Sequence, residues 1–221
     1  MVEPPLQGRD GGSNPTPSLQ GVLLSDTSAA KAIVRANHYT HSVPSGKSYY
    51  VTYGDAVVVW SIPANKNIAN FILGPGTWNV WELSRLWAPD GHDRDLLTRA
   101  ISAGVLILRR QEPSVDAVVS YADPSQGHQG GVYRAASWVP HGQSEEVRAY
   151  RKGPDSPIVA RRAFHSGSRS MTKAEIEAQG YTQLKLPGKH RFVRILSKKA
   201  RRAIDGRAFA WDKGGPKRRP T

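Results

Sequence analysis

The chain has 221 residues and a mass of 24.2 kDa, the size of one domain with tails, and it contains no cysteine. Disulfide scaffolds, thiolate zinc sites, iron–sulfur clusters and cysteine nucleophiles are thereby excluded. The formal charge of +13 is segregated: residues 1–146 carry 11 Lys/Arg against 13 Asp/Glu, whereas residues 147–221 carry 20 against 5, a local net of +15. Each phosphate neutralised by Lys or Arg releases condensed counterions, so this asymmetry points to a polyanion, nucleic acid first, with a merely solvated basic surface as the alternative. The longest apolar runs, Ala56 to Trp60 and Val105 to Leu108, fall far short of the roughly 18 residues of a membrane span. The N-terminus lacks the basic-then-apolar pattern of a secretory signal, and the expected location is a cytoplasm.

Residues 1–20, rich in Pro, Gly, Ser and Asn, cannot repay the entropy of ordering and are expected to be a flexible arm; residues 213–221 are expected to be a basic flexible tail. The span 21–212 reads as a single domain with a basic C-terminal third. Ser25 or Asp26 can cap a helix in which Ala29, Ala30, Ile33 and Val34 share a face, ending near His38. Tyr49–Tyr53 and Ala56–Ile62 read as a hairpin turned by Gly54-Asp55. Trp78–Trp87 reads as a further strand. Arg94–Arg110 is a long helix with Leu97, Ile101, Val105 and Leu108 on one face, and Val115–Tyr121 is a buried strand. A strand, a crossover helix and a parallel strand are implied. Gln129–Trp138 follows as a short helix, Val147–Lys152, Tyr181–Leu186 and Arg191–Leu196 as strands, and Ser197–Ile204 as a basic helix.

Four strings can carry chemistry. In Ser120-Tyr121-Ala122-Asp123-Pro124-Ser125-Gln126-Gly127-His128 a carboxylate ends an apolar strand before a Gly-rich turn, where ligands of open sheets bind; Asp123 can orient or deprotonate an amine and His128 can move a proton. The alternative is that Asp123 caps a turn. Asn37-His38-Tyr39-Thr40-His41 places two histidines at i and i+3, which can reach a divalent metal such as iron, or leave His38 and Tyr39 as an acid/base pair. In Trp81-Glu82-Leu83-Ser84-Arg85-Leu86-Trp87, Glu82 can face a cleft while Arg85 pairs with an anion or with Asp123. Lys189, His190, Arg191 and Arg194, followed by Lys198, Lys199, Arg201 and Arg202, form a phosphate-gripping surface by composition.

The element order resembles the acetyltransferase-type (GNAT) fold, an α/β (α+β) class with a mixed central sheet flanked by helices. The four strings in this order, from about Asn37 to Ala203, resemble the phage Mom family of DNA adenine-modification proteins, a branch of that superfamily. The resemblance implies a transferase that places an acetamide-type (carbamoylmethyl) group on the N6 amine of adenine in phage DNA, protecting it from restriction in the cytoplasm of the bacterial host. It also implies His38, Tyr39 and Asp123 as catalytic residues, with Glu82, Ser84, Arg85, Ser120, Tyr121, His128 and Tyr133 lining the substrate pocket. A target in duplex DNA must leave the stack, and Tyr39, Tyr121, Tyr133 and Trp138 are the aromatic surfaces offered to the flipped base or to the core.

One stretch departs from the superfamily pattern. Coenzyme A-binding relatives carry a Gly-rich loop whose amides hold the diphosphate at a helix N-terminus; here the turn is Pro89-Asp90-Gly91-His92-Asp93-Arg94-Asp95, with three acids. The donor stays open between acetyl-CoA, another activated acyl or aminoacyl carrier, and metal-assisted chemistry. An N-acetyltransferase of protein or small amines and a non-catalytic nucleic-acid-binding module are the competing readings.

Overall fold

The structure, a computed structural model, describes residues 22–24, 27–166 and 169–205. Seven strands form one mixed sheet in the order β1 (Val22–Leu24), β2 (Ser48–Tyr53), β3 (Ala56–Ser61), β4 (Val80–Trp87), β5 (Ala117–Ala122), β12 (His190–Ile195) and β6 (Val139–Gln143). Every neighbouring pair is antiparallel except β4 and β5, which the crossover helix α3 (Leu96–Gln111) makes parallel. Helix α3 and the short α4 (Gly131–Ala135) cover one face, where Trp60, Trp81, Leu83, Ile101, Leu108 and Phe192 form the largest core. The other face carries α1 (Thr27–Asn37), packed through Ala30 and Val34, and α2 (Ile68–Leu73) with α6 (Lys198–Asp205), packed through Ile68, Ile72 and Ala200. No described helix is long and apolar enough to cross a membrane.

The expected helix at the start, the Gly54-Asp55 hairpin, the parallel pair and the closing basic helix are all present; the expected caps Ser25 and Asp26, the arm and the tail lie outside the described residues. The expected helix over Gln129–Trp138 is shorter. It stops at Ala135, the chain reverses at Ser137 (φ 62°), and Trp138 leads into β6, whose Pro140 and Gly142 hide a strand from a propensity reading. The strands expected at Val147–Lys152 and Tyr181–Leu186 do not join the main sheet. As β7 (Val147–Arg151) and β11 (Thr182–Leu186) they pair with each other and, through β7, with β8 (Val159–Ala160). With a small β9–β10 hairpin (His165–Ser166, Arg169–Ser170) and α5 (Lys173–Ala178), they form a module inserted between β6 and β12, with its own core of Tyr150, Phe164 and Ile176.

Gly130 starts α4 with φ 76°, and a Cβ there would lie 2.1 Å from Cζ of the fully buried Phe192. Gly127 has a similar φ of 74° but open space around it. Urea denaturation should therefore show Gly130→Ala losing about 3 kcal/mol from strain plus overpacking, and Gly127→Ala only about 1 kcal/mol from backbone strain. Equal losses would contradict the packing described for α4.

Candidate active site

The ladder between β4 and β5 runs from Val80–Ala117 to Leu83–Ser120 and stops there. Two local causes part the strands. Strand β4 carries a bulge between Leu83 and Arg85 opposite Val59 and Trp60, which bends it toward β3. Strand β5 stays bonded to β12 as far as Ala122–His190. Where they part, a cleft of about 540 Å³ opens at the carboxyl ends of the two parallel strands, lined by residues from both sides of the sheet. His38, Tyr39 and Tyr121 line it from the α1 side. Leu97, Gly131, Val132 and Tyr133 line it from the α3–α4 side, with Ser84, Arg85 and His128 between.

The last rung is locked by a hydrogen-bond chain. The Tyr133 hydroxyl donates to Ser120 Oγ (2.9 Å), which donates to the Leu83 carbonyl (2.8 Å). Burial pushes the Tyr133 phenol up to about 12, so it holds its proton. Ser120, 1 % exposed, therefore supports the cleft wall rather than facing it. Ser84 sits in the bulge and donates to the Val59 carbonyl.

His38 ends the turn after α1 rather than lying on the helix. Its Nδ1 accepts from the Thr40 amide (3.2 Å) and lies 2.9 Å from Thr40 Oγ1. Burial, then the charges of Arg85, His128 and Lys189, push its imidazole down to about 4. A neutral ring whose Nδ1 accepts carries its proton on Nε2, so His38 is a hydrogen-bond donor in the cleft at neutral pH. Tyr39 stacks beside it with centroids 4.6 Å apart, keeps 39 % exposure, and lies 5.8 Å from the His128 ring. His41 adopts a left-handed φ of 45° and turns its Nδ1 to the Arg35 carbonyl. The Nδ1 atoms of His38 and His41, expected to be able to share a metal, have separate local partners in Thr40 and the Arg35 carbonyl. No group of three or more His, Asp or Glu residues gathers for a metal among the described residues.

The carboxyls differ in setting. Burial pushes Asp123 up, but Lys189 Nζ at 2.7 Å and the Ser125 hydroxyl at 2.6 Å and amide at 3.1 Å outweigh it and hold Asp123 below the usual range. The ion pair of Asp123 is with Lys189, and the Arg85 guanidinium, expected to meet an anion or Asp123, donates to the Ser42 carbonyl and hydroxyl and to the Ser84 carbonyl, tying the loop after α1 to β4. Lys189 links the two expected halves of the site, since its Nζ also lies 5.9 Å from the Tyr39 ring centroid. Glu82 goes the other way: burial raises it, only partly offset by the Ala64 backbone and the charges of Arg85 and Lys189.

The expected basic surface divides. Lys189 and His190 stand at the cleft end of β12. Arg191 is buried: it donates to the His141 and Gln143 carbonyls and lies beside Tyr121, which corrects its place on an open phosphate surface. Arg194 is half-buried near Arg109. Lys198, Lys199, Arg201 and Arg202 are exposed on α6, which follows the other end of β12, about 17 Å of strand away. Trp138 is core, stacked on Trp60 at 6.3 Å, and Tyr133 is buried; Tyr39 and Tyr121 remain as rings open to a ligand in the cleft. At the start of α3, Asp95 does not cap the helix with its side chain, and Asp90 lines the cleft. Asp90, Asp93 and Asp95 together repel a diphosphate, so this turn does not fit coenzyme A by the usual contacts.

The neutral His38 has a consequence for stability. The unfolded chain protonates it near 6.5 and the folded protein only near 4. Protons therefore favour the unfolded chain in this window, and stability falls as pH drops from 6.5 to 4. Thermal unfolding across that range should show the decline, and His38→Gln should flatten part of it, with the remainder from His141, which burial and Arg191 also push down to about 4. An unchanged slope in His38→Gln would contradict the buried neutral imidazole.

A profile of the Mom protein family matches residues 22–212. The chain is 24% identical over 186 residues to the methylcarbamoylase Mom of Escherichia phage Mu, covering 81% of this chain and 77% of that one. Similar solved structures include an acetyltransferase from Salmonella typhimurium that modifies the N-terminal serine of ribosomal protein L7/L12 (12% identity, TM-score 0.36, covering 80% of this chain and 81% of that one). Another is a Bacillus subtilis acetyltransferase in complex with CoA (11% identity, TM-score 0.35, covering 84% and 96%). The family profile runs from β1 through α6, and the chain belongs to the Mom protein family.

Proposed function

We propose that this protein is a DNA-modifying transferase that moves an acetamide-type (carbamoylmethyl) group from an activated donor to the N6 amine of an adenine extruded from duplex DNA. The observation that carries the reading is the cleft where β4 and β5 part, whose lining from both sides of the sheet brings His38, Tyr39, Tyr121 and His128 to one space. Membership of the Mom family supports the substrate, and the relative in phage Mu is named a methylcarbamoylase. Such a substrate places the reaction in the cytoplasm of the bacterial host.

The adenine N6 lone pair is delocalised into the ring and is a poor nucleophile, so a base and an activated donor are both required. In the reaction the N6–carbon bond forms, the bond from that carbon to the leaving group breaks with its electron pair, and one N6 proton is taken up by the protein. Glu82, which lies next to the lining residues Leu83 and Ser84 rather than in the lining itself, takes that proton, because burial raises its proton affinity whereas Asp123 is held ionised by Lys189 and Ser125. Asp123 then positions Lys189 beside Tyr39. His38 donates from Nε2 to the oxygen of the transferred group, and Tyr39 and Tyr121 stack the base. Lys189 and His190 near the cleft and the cations of α6 hold the backbone, separated by about five base-pair steps of duplex. The donor must carry its leaving group on the methylene carbon that becomes bonded to N6, because attack at the carbonyl of an acyl or aminoacyl carrier would leave an amide on N6 instead.

Mass spectrometry of nucleosides from DNA of cells expressing the chain should show deoxyadenosine carrying one carbamoylmethyl group. Glu82→Gln should lower that yield by about 10²-fold or more. Unmodified deoxyadenosine alone, from cells containing folded protein, would contradict the assignment.

A further inference from the structure

Helix α2 buries Ile68, Ile72 and Leu73 and leaves Phe71 on its outer side with 62 % of its surface exposed, more than any other large hydrophobic side chain among the described residues. An aromatic ring on a helix this firmly anchored is held out in the solvent at a fixed position. It is also backed by charge. The Arg191 guanidinium lies 4.6 Å from its centroid, within cation–π range, and the His141 ring meets it at 5.6 Å, edge to face. The same guanidinium lies 5.8 Å from the ring of Tyr121, which lines the cleft. Arg191 thus joins an exposed ring to the proposed base pocket. Its own position is over-determined by hydrogen bonds to two carbonyls of β6.

Resting on the DNA reading above, we propose that Phe71 is the wedge that enters the duplex and fills the space left by the extruded adenine, with Arg191 holding the ring from behind. Extrusion forfeits pairing and stacking, and proteins that unstack DNA frequently insert an apolar side chain to compensate. The chemistry fits this occupant. A nucleobase offers a flat π-face to the exposed side of Phe71, and the duplex carries the negative charge that the exposed cations of α6, which packs against α2, attract. A side chain that merely shields Arg191 would serve every substrate alike, whereas a wedge matters only where a base must be removed from a stack.

The test compares Phe71→Ala and Phe71→Trp with the wild type on two oligonucleotides, a fully paired duplex and the same duplex with the target adenine opposite an abasic site. Phe71→Ala should cut the modification rate of the paired duplex by about tenfold or more, change that of the unpaired target by no more than about twofold, and be rescued by Phe71→Trp. With 2-aminopurine in the target position, the wild type should raise its fluorescence on binding, and Phe71→Ala should bind without that rise. Equal loss on both oligonucleotides, or no loss on the paired one, would overturn the wedge and leave the DNA reading intact. A wild-type protein that neither binds nor modifies either oligonucleotide would overturn both.

Discussion

The site depends on β5 being bonded to β12 along its length while β4 follows β3 away from it. A parallel pair that stayed zipped to its end would leave no opening between the strands for the cleft. The bulge at Ser84 starts the separation, and the chain from Tyr133 through Ser120 to the Leu83 carbonyl fixes where it begins. Gly130 lets α4 approach Phe192 closely enough for Tyr133 to reach that chain, so packing on the α3–α4 side sets the width of the opening. The ends of α1 and α2 deliver His38, Tyr39 and Phe71 to the other side.

Around that opening, burial and charge sort similar groups into different states. Glu82 and Asp123 are both carboxyls near Lys189, but Asp123 has an ion pair and two Ser125 contacts while burial dominates Glu82. His38 and His41 are three residues apart, yet the left-handed backbone at His41 sends the second ring to the Arg35 carbonyl and leaves the first neutral in the cleft. Local geometry, rather than residue type, divides base, donor and positioning groups.

Long periodic elements were legible in the sequence: α1, the β2–β3 hairpin, α3, β5 and α6 follow from apolar spacing and turn chemistry. So was the meeting of the His38-Tyr39 and Asp123 strings at one end of the sheet, because strand ends and helix ends cluster there. The rest had weaker local signals. Helix α2 is six residues long, too short for a helical period, and with it Phe71 escaped notice. Helix α5 did carry one, the capping box Thr172-Lys173-Ala174-Glu175. Pairing of β7 with β11 is a long-range choice that composition does not encode. Composition alone marks Arg191 as a surface cation, but both faces of this strand are covered, and Arg191 is buried beside Tyr121 and Phe71.

The central claim is that the adenine reacts in the opening between β4 and β5. Photocrosslinking from duplex DNA with an azido-adenine in the target position locates it most directly. The account requires the crosslinked peptides to contain Tyr39, Tyr121 or His128. Crosslinks confined to α6 or to the inserted β7–β11 module would contradict it.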